Sequence, residues 1–372
     1  MKKGVDLESL AKKLEATKRS SVDFVVPTTK ISMNNDSSLN FKVGDDYHVA
    51  KMTDHAHTQV AQWAKIPTRY YSRMQDTQPE LLANNVNTWL HANQKAGRMI
   101  RAINQSLGNN VVSIRPESSD LKVRAFLSNR YRRIDNWAIA DTTLSTLSEI
   151  NDKAGLKATV ASSELTESSM YIKIVFEALQ REIKVGDAVR FGLIVRNSEI
   201  GLGRAVVAGF TERLVCTNGM VMQSNFCKTH LGIAIDEQDE ALGYYSDETL
   251  AAEDRAVQMK LRDAIKGILS QDNIDEMAFT MMAATTSEEL RNPKKAVEEV
   301  GQKLGMNESE QDSILYHLAR DGDLTKWGLA NAVTRTAEDL PSYDRATEFE
   351  GFGFNVLKLS DREWNRLAAK AA

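Results

Sequence analysis

LKVRAFLSNRYRRIDN, residues 121–136, decides how the rest of the chain reads. Leu121, Val123, Ala125 and Leu127 alternate with Lys122, Arg124, Phe126 and Ser128, the period-2 pattern of a strand with one buried face. Ser128-Asn129 marks a turn, and Asn136 offers a helix cap ahead of Trp137. The stretch therefore predicts strand, turn and helix in succession. Lys122, Arg124, Arg130, Arg132 and Arg133 fall within it and no acid interrupts them, while Tyr131 places a ring inside the cationic run. Cations for phosphates and a ring for a base are what a protein needs to grip a single nucleic-acid strand.

The chain has 372 residues, 42% of them hydrophobic, enough for a substantial core and for two structural units. Its formal net charge is -4 and its pI is near 6.0, which excludes a uniformly basic coat for DNA. An anionic partner must then be met by a local patch. No run approaches the roughly 18 apolar residues of a membrane span, and the charged first twenty residues lack the apolar core of a signal peptide. Two cysteines, Cys216 and Cys227, fit reduced thiols. The expectation is a soluble, cytoplasmic protein with no membrane partner.

Outward from the central stretch, Leu7, Leu10 and Leu14 predict an amphipathic helix. Residues 22–26, 30–33, 39–43 and 47–50 read as a small antiparallel meander, broken by Pro27, Asn34-Asn35-Asp36 and Gly44-Asp45-Asp46. Ala56, Val60, Trp63 and Ala64 repeat at helical spacing up to Pro67. A further helix opens at Pro79-Glu80 with Leu82, Val86, Trp89 and Leu90 on its buried face. Strands follow over 98–104, 111–115 and 121–127, then a helix through Trp137, Ala140, Leu144 and Leu147. The richest β region covers 158–162, 169–179, 188–196 and 204–216. Within it Val189, Phe191, Leu193 and Val195 face away from Arg190 and Arg196. Residues 236–254 then carry eight acids and no base, and the pattern turns helical over 255–268, 273–282, 293–304, 308–319, 324–337 and 360–371. The reading is an α+β fold: an antiparallel β-rich unit with packed helices over 1–240, followed by a mainly helical unit over 241–372.

Catalytic and metal motifs are weak. His55-Ala56-His57, Cys216, Cys227 and His230 lack the paired short spacing of a structural zinc site, so no metal is expected. Gly201-x-Gly203 lacks the third glycine of a dinucleotide fingerprint and reads as a hairpin turn. No phosphate-binding P-loop and no G-x-S-x-G elbow occurs. No catalytic residue and no cofactor is assigned. The basic patch is broader: between His91 and Arg133 nine lysines and arginines stand against Glu117 and Asp120. Arg98, Arg101, Lys122, Arg124, Arg130, Tyr131, Arg132 and Arg133 are the expected nucleic-acid contacts. Two other readings stay open at this point: a structural network with acidic residues, or another anionic ligand.

Several motifs carry a family resemblance. They are Ile66-Pro67-x-x-Tyr70-Tyr71 with Leu81-Leu82-Ala83-Asn84-Asn85-Val86-Asn87-x-Trp89-Leu90, the run from Arg124 to Asn136, Asn197-Ser198-Glu199-Ile200-Gly201 leading to Asn218-Gly219, and Thr325-Lys326-Trp327-Gly328-Leu329-Ala330-Asn331. Over residues 50–340 the chain resembles the phage- and plasmid-like proteins grouped as domain of unknown function 932. That resemblance implies a mobile-element protein acting in a bacterial cytoplasm and no particular activity. In architecture, a β-meander followed by a helix with basic strands is similar to phage single-strand annealing proteins, which work as rings or filaments. Asn331, Thr334 and Arg335 share a helix face, either a polar contact surface or an interhelix hydrogen-bond cluster. The function read from the sequence is non-enzymatic binding of a single nucleic-acid strand, DNA favoured, by a homo-oligomer in recombination or strand annealing. The alternative is a mobile-element protein that binds and inhibits a host defence factor.

Overall fold

The computed structural model describes residues 1–92, 97–105, 120–129, 131, 134–216, 218–228 and 247–369, with the backbone alone at 223–228, 247 and 249–251. The fold is α+β, with two sheets in the N-terminal part and a C-terminal run of helices.

The first sheet has six strands: β1 (Ser21–Pro27), β2 (Ile31–Met33), β3 (Leu39–Val43), β4 (Asp46–Met52), β5 (Gly97–Asn104) and β6 (Leu121–Ser128). Their order is β1-β5-β6-β4-β3-β2. The meander forms from β2, β3 and β4, as the turn residues predict. β1 does not join it. It lies at the far edge, antiparallel to β5, with Asp23 directly opposite Arg101. Between the halves, β4 pairs β6 in parallel. Helices α2 (Asp54–Trp63), α3 (Thr68–Thr77) and α4 (Pro79–Ala92) supply the apolar cover, with Val60, Tyr71, Leu82 and Val86 packing with Ile31, Phe41, Ile100 and Val123. α3 has no apolar period strong enough to announce it. Trp89 is 52% exposed rather than buried, because Ala83 joins Leu82, Val86 and Leu90 and rotates the buried stripe away from it.

The second sheet is an antiparallel meander of five strands: β7 (Ala158–Leu165), β8 (Met170–Lys184), β9 (Asp187–Asn197), β10 (Ala205–Arg213) and β11 (Gly219–Lys228). Val189, Phe191, Leu193 and Val195 all face its main core. That core also takes Leu10 and Leu14 of α1 (Leu7–Ser20) and Ile139 and Leu147 of α5 (Asn136–Ala154). The later helices are α6 (Asp247–Ile268), α7 (Gln271–Thr285), α8 (Pro293–Leu304), α9 (Glu308–Asp321), α10 (Lys326–Thr336), α11 (Tyr343–Leu357) and α12 (Asp361–Ala368). They do not build a separate core: Leu261, Trp327, Val333 and Phe349 join the same cluster as Phe176 and Phe191. The expected boundary near residue 240 falls in a segment outside the described residues, and the hydrophobic core runs across it. The division that packing makes lies instead between the two sheets.

Asn331 and Thr334 are buried, and the Asn218 amide donates to both, at 3.2 and 2.6 Å. This is the hydrogen-bond cluster, not a contact surface. Among the described residues no helix is long and apolar enough to cross a membrane.

Candidate nucleic-acid interface

A bulge in β6 sets the site. Arg101 pairs with Ala125 and Ala102 with Val123, so Arg124 is the extra residue and the alternation flips there. Beyond the bulge Phe126 turns into the first core and packs edge-on against Trp63 with centroids 5.6 Å apart. Ala125 and Leu127 turn to the opposite face, beside Met99, Tyr131 and Ile200. The strict alternation read from the sequence ends at this residue.

That opposite face of β5 and β6 meets the loop between β9 and β10, which works as a joint between the sheets. The Ile200 carbonyl accepts from His55 Nε2 at 2.9 Å and from the Gln59 amide at 2.7 Å, while Gln59 Oε1 accepts from the Phe126 backbone N–H at 2.7 Å. Gly201 adopts φ of +80°, and a Cβ there would stand 2.7 Å from a Leu127 methyl, so a side chain at this turn would be strained. Glu199, nearly buried, accepts the Asn136 backbone N–H at 2.7 Å at the start of α5. Asn197 donates to the Ile134 carbonyl and the Asn136 side chain. The cap of α5 is Asp135, and Asn136, expected there, is the first helical residue. Residues 124–129, Tyr131, Ile134 and Asn136 thus converge with 197–201 on one seam.

The expected contact residues separate into groups. Arg101 is 4% exposed. Its Nε and Nη2 donate to the Asp23 carboxylate at 2.8 and 3.2 Å, Nη2 also reaches Asp135 at 2.8 Å, and Nη1 donates to the Glu199 carbonyl at 2.9 Å. Burial works against its charge, but Asp23 and Asp135 outweigh burial and hold its pKa above the ordinary value. It is a structural cation, not a surface contact. Tyr131 is also buried: its hydroxyl donates to the Ser198 carbonyl at 3.3 Å, and burial pushes its pKa up. No face of that ring is presented to a base. Arg98 points into the first core, its guanidinium 5.0 Å from the Trp63 ring and 5.7 Å from Phe126, and burial lowers its pKa to about 10. Arg130, Arg132 and Arg133 lie outside the described residues.

Lys122 and Arg124 remain, and they share a cleft of about 510 Å³ at the seam. Both are half-buried. Lys122 forms no ion pair among the described residues, and Arg124 meets Glu199 only at 3.4 Å. Ile103, Leu165, Ile200 and Leu202 give the cleft an apolar lining. Thr53 and His55 bring in the first turn of α2, and Thr17 and Ser20 the end of α1. Thr53 fixes that turn to the bulge, donating from its hydroxyl to the Arg124 carbonyl at 3.2 Å and accepting from the Ala56 N–H at 3.2 Å. Burial lowers the His55 pKa, so its imidazole is neutral near pH 7.

Two acids also line the cleft. Glu167 is exposed at its edge. Asp344 is tied down by hydroxyls: Ser168 donates at 2.6 Å, Tyr171 at 2.7 Å and Thr166 at 3.1 Å. Sequence reasoning missed this half of the site. Hydroxyls in a β-turn and an acid at a helix start, far apart in the chain, carry no joint signal. The histidines and the first cysteine have separate partners: His57 meets Tyr71, and Cys216 meets Arg213 and Arg335. Cys227 has no described side chain.

No protein-family model, curated protein or solved structure matches the chain.

Proposed function

We propose that this protein binds a single strand of nucleic acid, DNA in preference to RNA, without catalysing a reaction on it. The observation that supports the reading is the placement of Lys122 and Arg124. They are the cations of β6 that the core does not consume, and they line an open cleft with a hydroxyl-rich edge. In sequence they lead directly to Arg130, Arg132 and Arg133, so one short segment carries five positive charges for a phosphate backbone to meet. The resemblance to domain of unknown function 932 points to a phage or plasmid in a bacterial cytoplasm, and the architectural likeness to annealing proteins favours strand annealing in recombination.

One subunit with so few cations holds a strand weakly at physiological salt, and a homo-oligomer multiplies the contacts. Among the described strands, β1, β2 and β11 each pair along one side only, which leaves sheet edges for subunits to share. Fluorescence anisotropy of a labelled oligonucleotide at two salt concentrations, with light scattering on the same samples, tests the reading. Salt-sensitive binding by an oligomer supports it. Absence of binding at low salt removes it and leaves inhibition of a host factor as the better account.

A further inference from the structure

We infer that the inter-sheet cleft is a subsite for one nucleotide unit, with the phosphate held at Lys122 and Arg124 and the base against the apolar lining. The inference rests on the nucleic-acid reading and narrows it to a terminal or free nucleoside monophosphate. Three features of the cleft converge on that ligand class. Its volume of about 510 Å³ lies within the range of small-ligand sites, roughly 300–1,000 Å³, and suits one unit rather than a continuous strand. Its cations retain donors. Arg124 spends one weak 3.4 Å contact on Glu199, whose carboxylate already has the closer Asn136 N–H at 2.7 Å. A dianionic phosphate competes well for the rest of that guanidinium fork. Asp344 is also occupied: its oxygens are engaged by the hydroxyls of Thr166, Ser168 and Tyr171, which soften its repulsion of an anion.

Charge also explains why a terminal phosphate suits the site better than an internal one. A monoester phosphate carries a second negative charge near neutral pH, where an internal diester carries one, and two cations discriminate between them.

Titration of the full chain with deoxyadenosine 5′-monophosphate, followed by calorimetry, tests the assignment. Saturable binding is expected, weakened by about tenfold or more when the phosphate is absent, as in deoxyadenosine. Lys122→Gln should lose a similar factor. Thr17→Trp, a change at a half-buried helix position that fills the cleft, should abolish binding without lowering the melting temperature. A paired measurement identifies the source. Tighter binding of a 5′-phosphorylated oligonucleotide than of its 5′-hydroxyl twin indicates a strand end, while equal binding of the two alongside mononucleotide binding indicates a free nucleotide. No saturable binding of the monophosphate, or equal binding by Thr17→Trp, overturns the subsite. If hydroxyl-ended oligonucleotide binding persists in that case, the strand-binding reading survives and only the subsite falls. If the monophosphate binds and no oligonucleotide does, the subsite stands and the strand-binding reading falls.

Discussion

Arg101 of β5 stands directly opposite Asp23 of β1, and the two side chains meet through paired hydrogen bonds of 2.8 and 3.2 Å. On the next strand of the same sheet, Lys122 has no ionic partner among the described residues. The chain therefore holds two kinds of cation within one basic stretch: one that fastens the sheets and one that faces a cleft. Substitution should separate them.

Arg101→Met should destabilise the fold by roughly 3–5 kcal/mol, because the half-buried Asp23 carboxylate, Asp135 and the Glu199 carbonyl would all lose the Arg101 guanidinium. Lys122→Gln should leave stability within about 0.5 kcal/mol, as expected for a partly exposed cation with no ionic partner among the described residues. Urea denaturation of both variants checks the contrast. Equal losses would mean that Lys122 is structural too.

Tyr131 packs against Met99, Leu127 and Ile200, so its role is packing and not stacking on a base. Tyr131→Ala should cost about 3–5 kcal/mol, in the range of large aromatic truncations. Tyr131→Phe should cost only about 0.5–1.5 kcal/mol, the contribution of one hydrogen bond, and should leave oligonucleotide affinity unchanged. A loss of affinity in the Phe variant at full stability would return the hydroxyl to the binding surface.

Lys173 and Glu350 form an ion pair at 2.6 Å with both side chains fully buried, and Lys173 lies 4.5 Å from the Tyr343 ring centroid. Burial lowers the Lys173 pKa and Glu350 opposes that shift. Lys173→Met alone should cost roughly 3–5 kcal/mol because it leaves a buried carboxylate unpaired, whereas Lys173→Met with Glu350→Leu should recover most of the loss. Thermal melts of the single and double variants decide it. A double variant as unstable as the single would show that the pair contributes more than it costs to bury.

Acid should weaken the fold through histidine. Burial holds both His55 and His57 below the ordinary value of 6.5. His57 Nδ1 donates to the Tyr71 hydroxyl at 2.9 Å and Nε2 accepts from the Gln75 amide at 3.2 Å, so a second proton would break the latter contact. The unfolded chain binds protons at these sites at higher pH than the native one. Their stabilising contribution is therefore fully present above about pH 6.5 and lost as pH falls through the lowered native values. Melting temperature should drop from pH 7.5 to 5.5, and His55→Gln with His57→Gln should flatten the slope. An unchanged slope would place the acid sensitivity elsewhere.

The α+β class, the β2–β4 meander and most helices were legible because each follows from hydrophobic period and turn residues in its own segment. What was not legible depended on distant partners. Phe126 reads with the arginines by alternation, and only the pairing of β6 with β5 inserts the bulge that sends it to the core. Arg101 and Lys122 look alike in sequence. Asp23, one strand away in space and 78 positions away in the chain, makes the difference. The continuous core across residue 240 was hidden for the same reason, since Trp327 and Phe191 share no local pattern. The cleft was half visible: its cations stand in an obvious run, but the Thr166, Ser168 and Asp344 cluster arises only when α11 meets the β7–β8 turn.

The most direct test of the central claim compares oligonucleotide binding by the native chain and by Lys122→Gln with Arg124→Gln, at about 50 and about 200 mM salt. The account predicts weaker binding by the double variant and an unchanged melting temperature. The slope of log affinity against log salt should shrink by about 0.7 for each phosphate that the variant no longer neutralises. Native affinity and native salt slope in a stably folded double variant would contradict it.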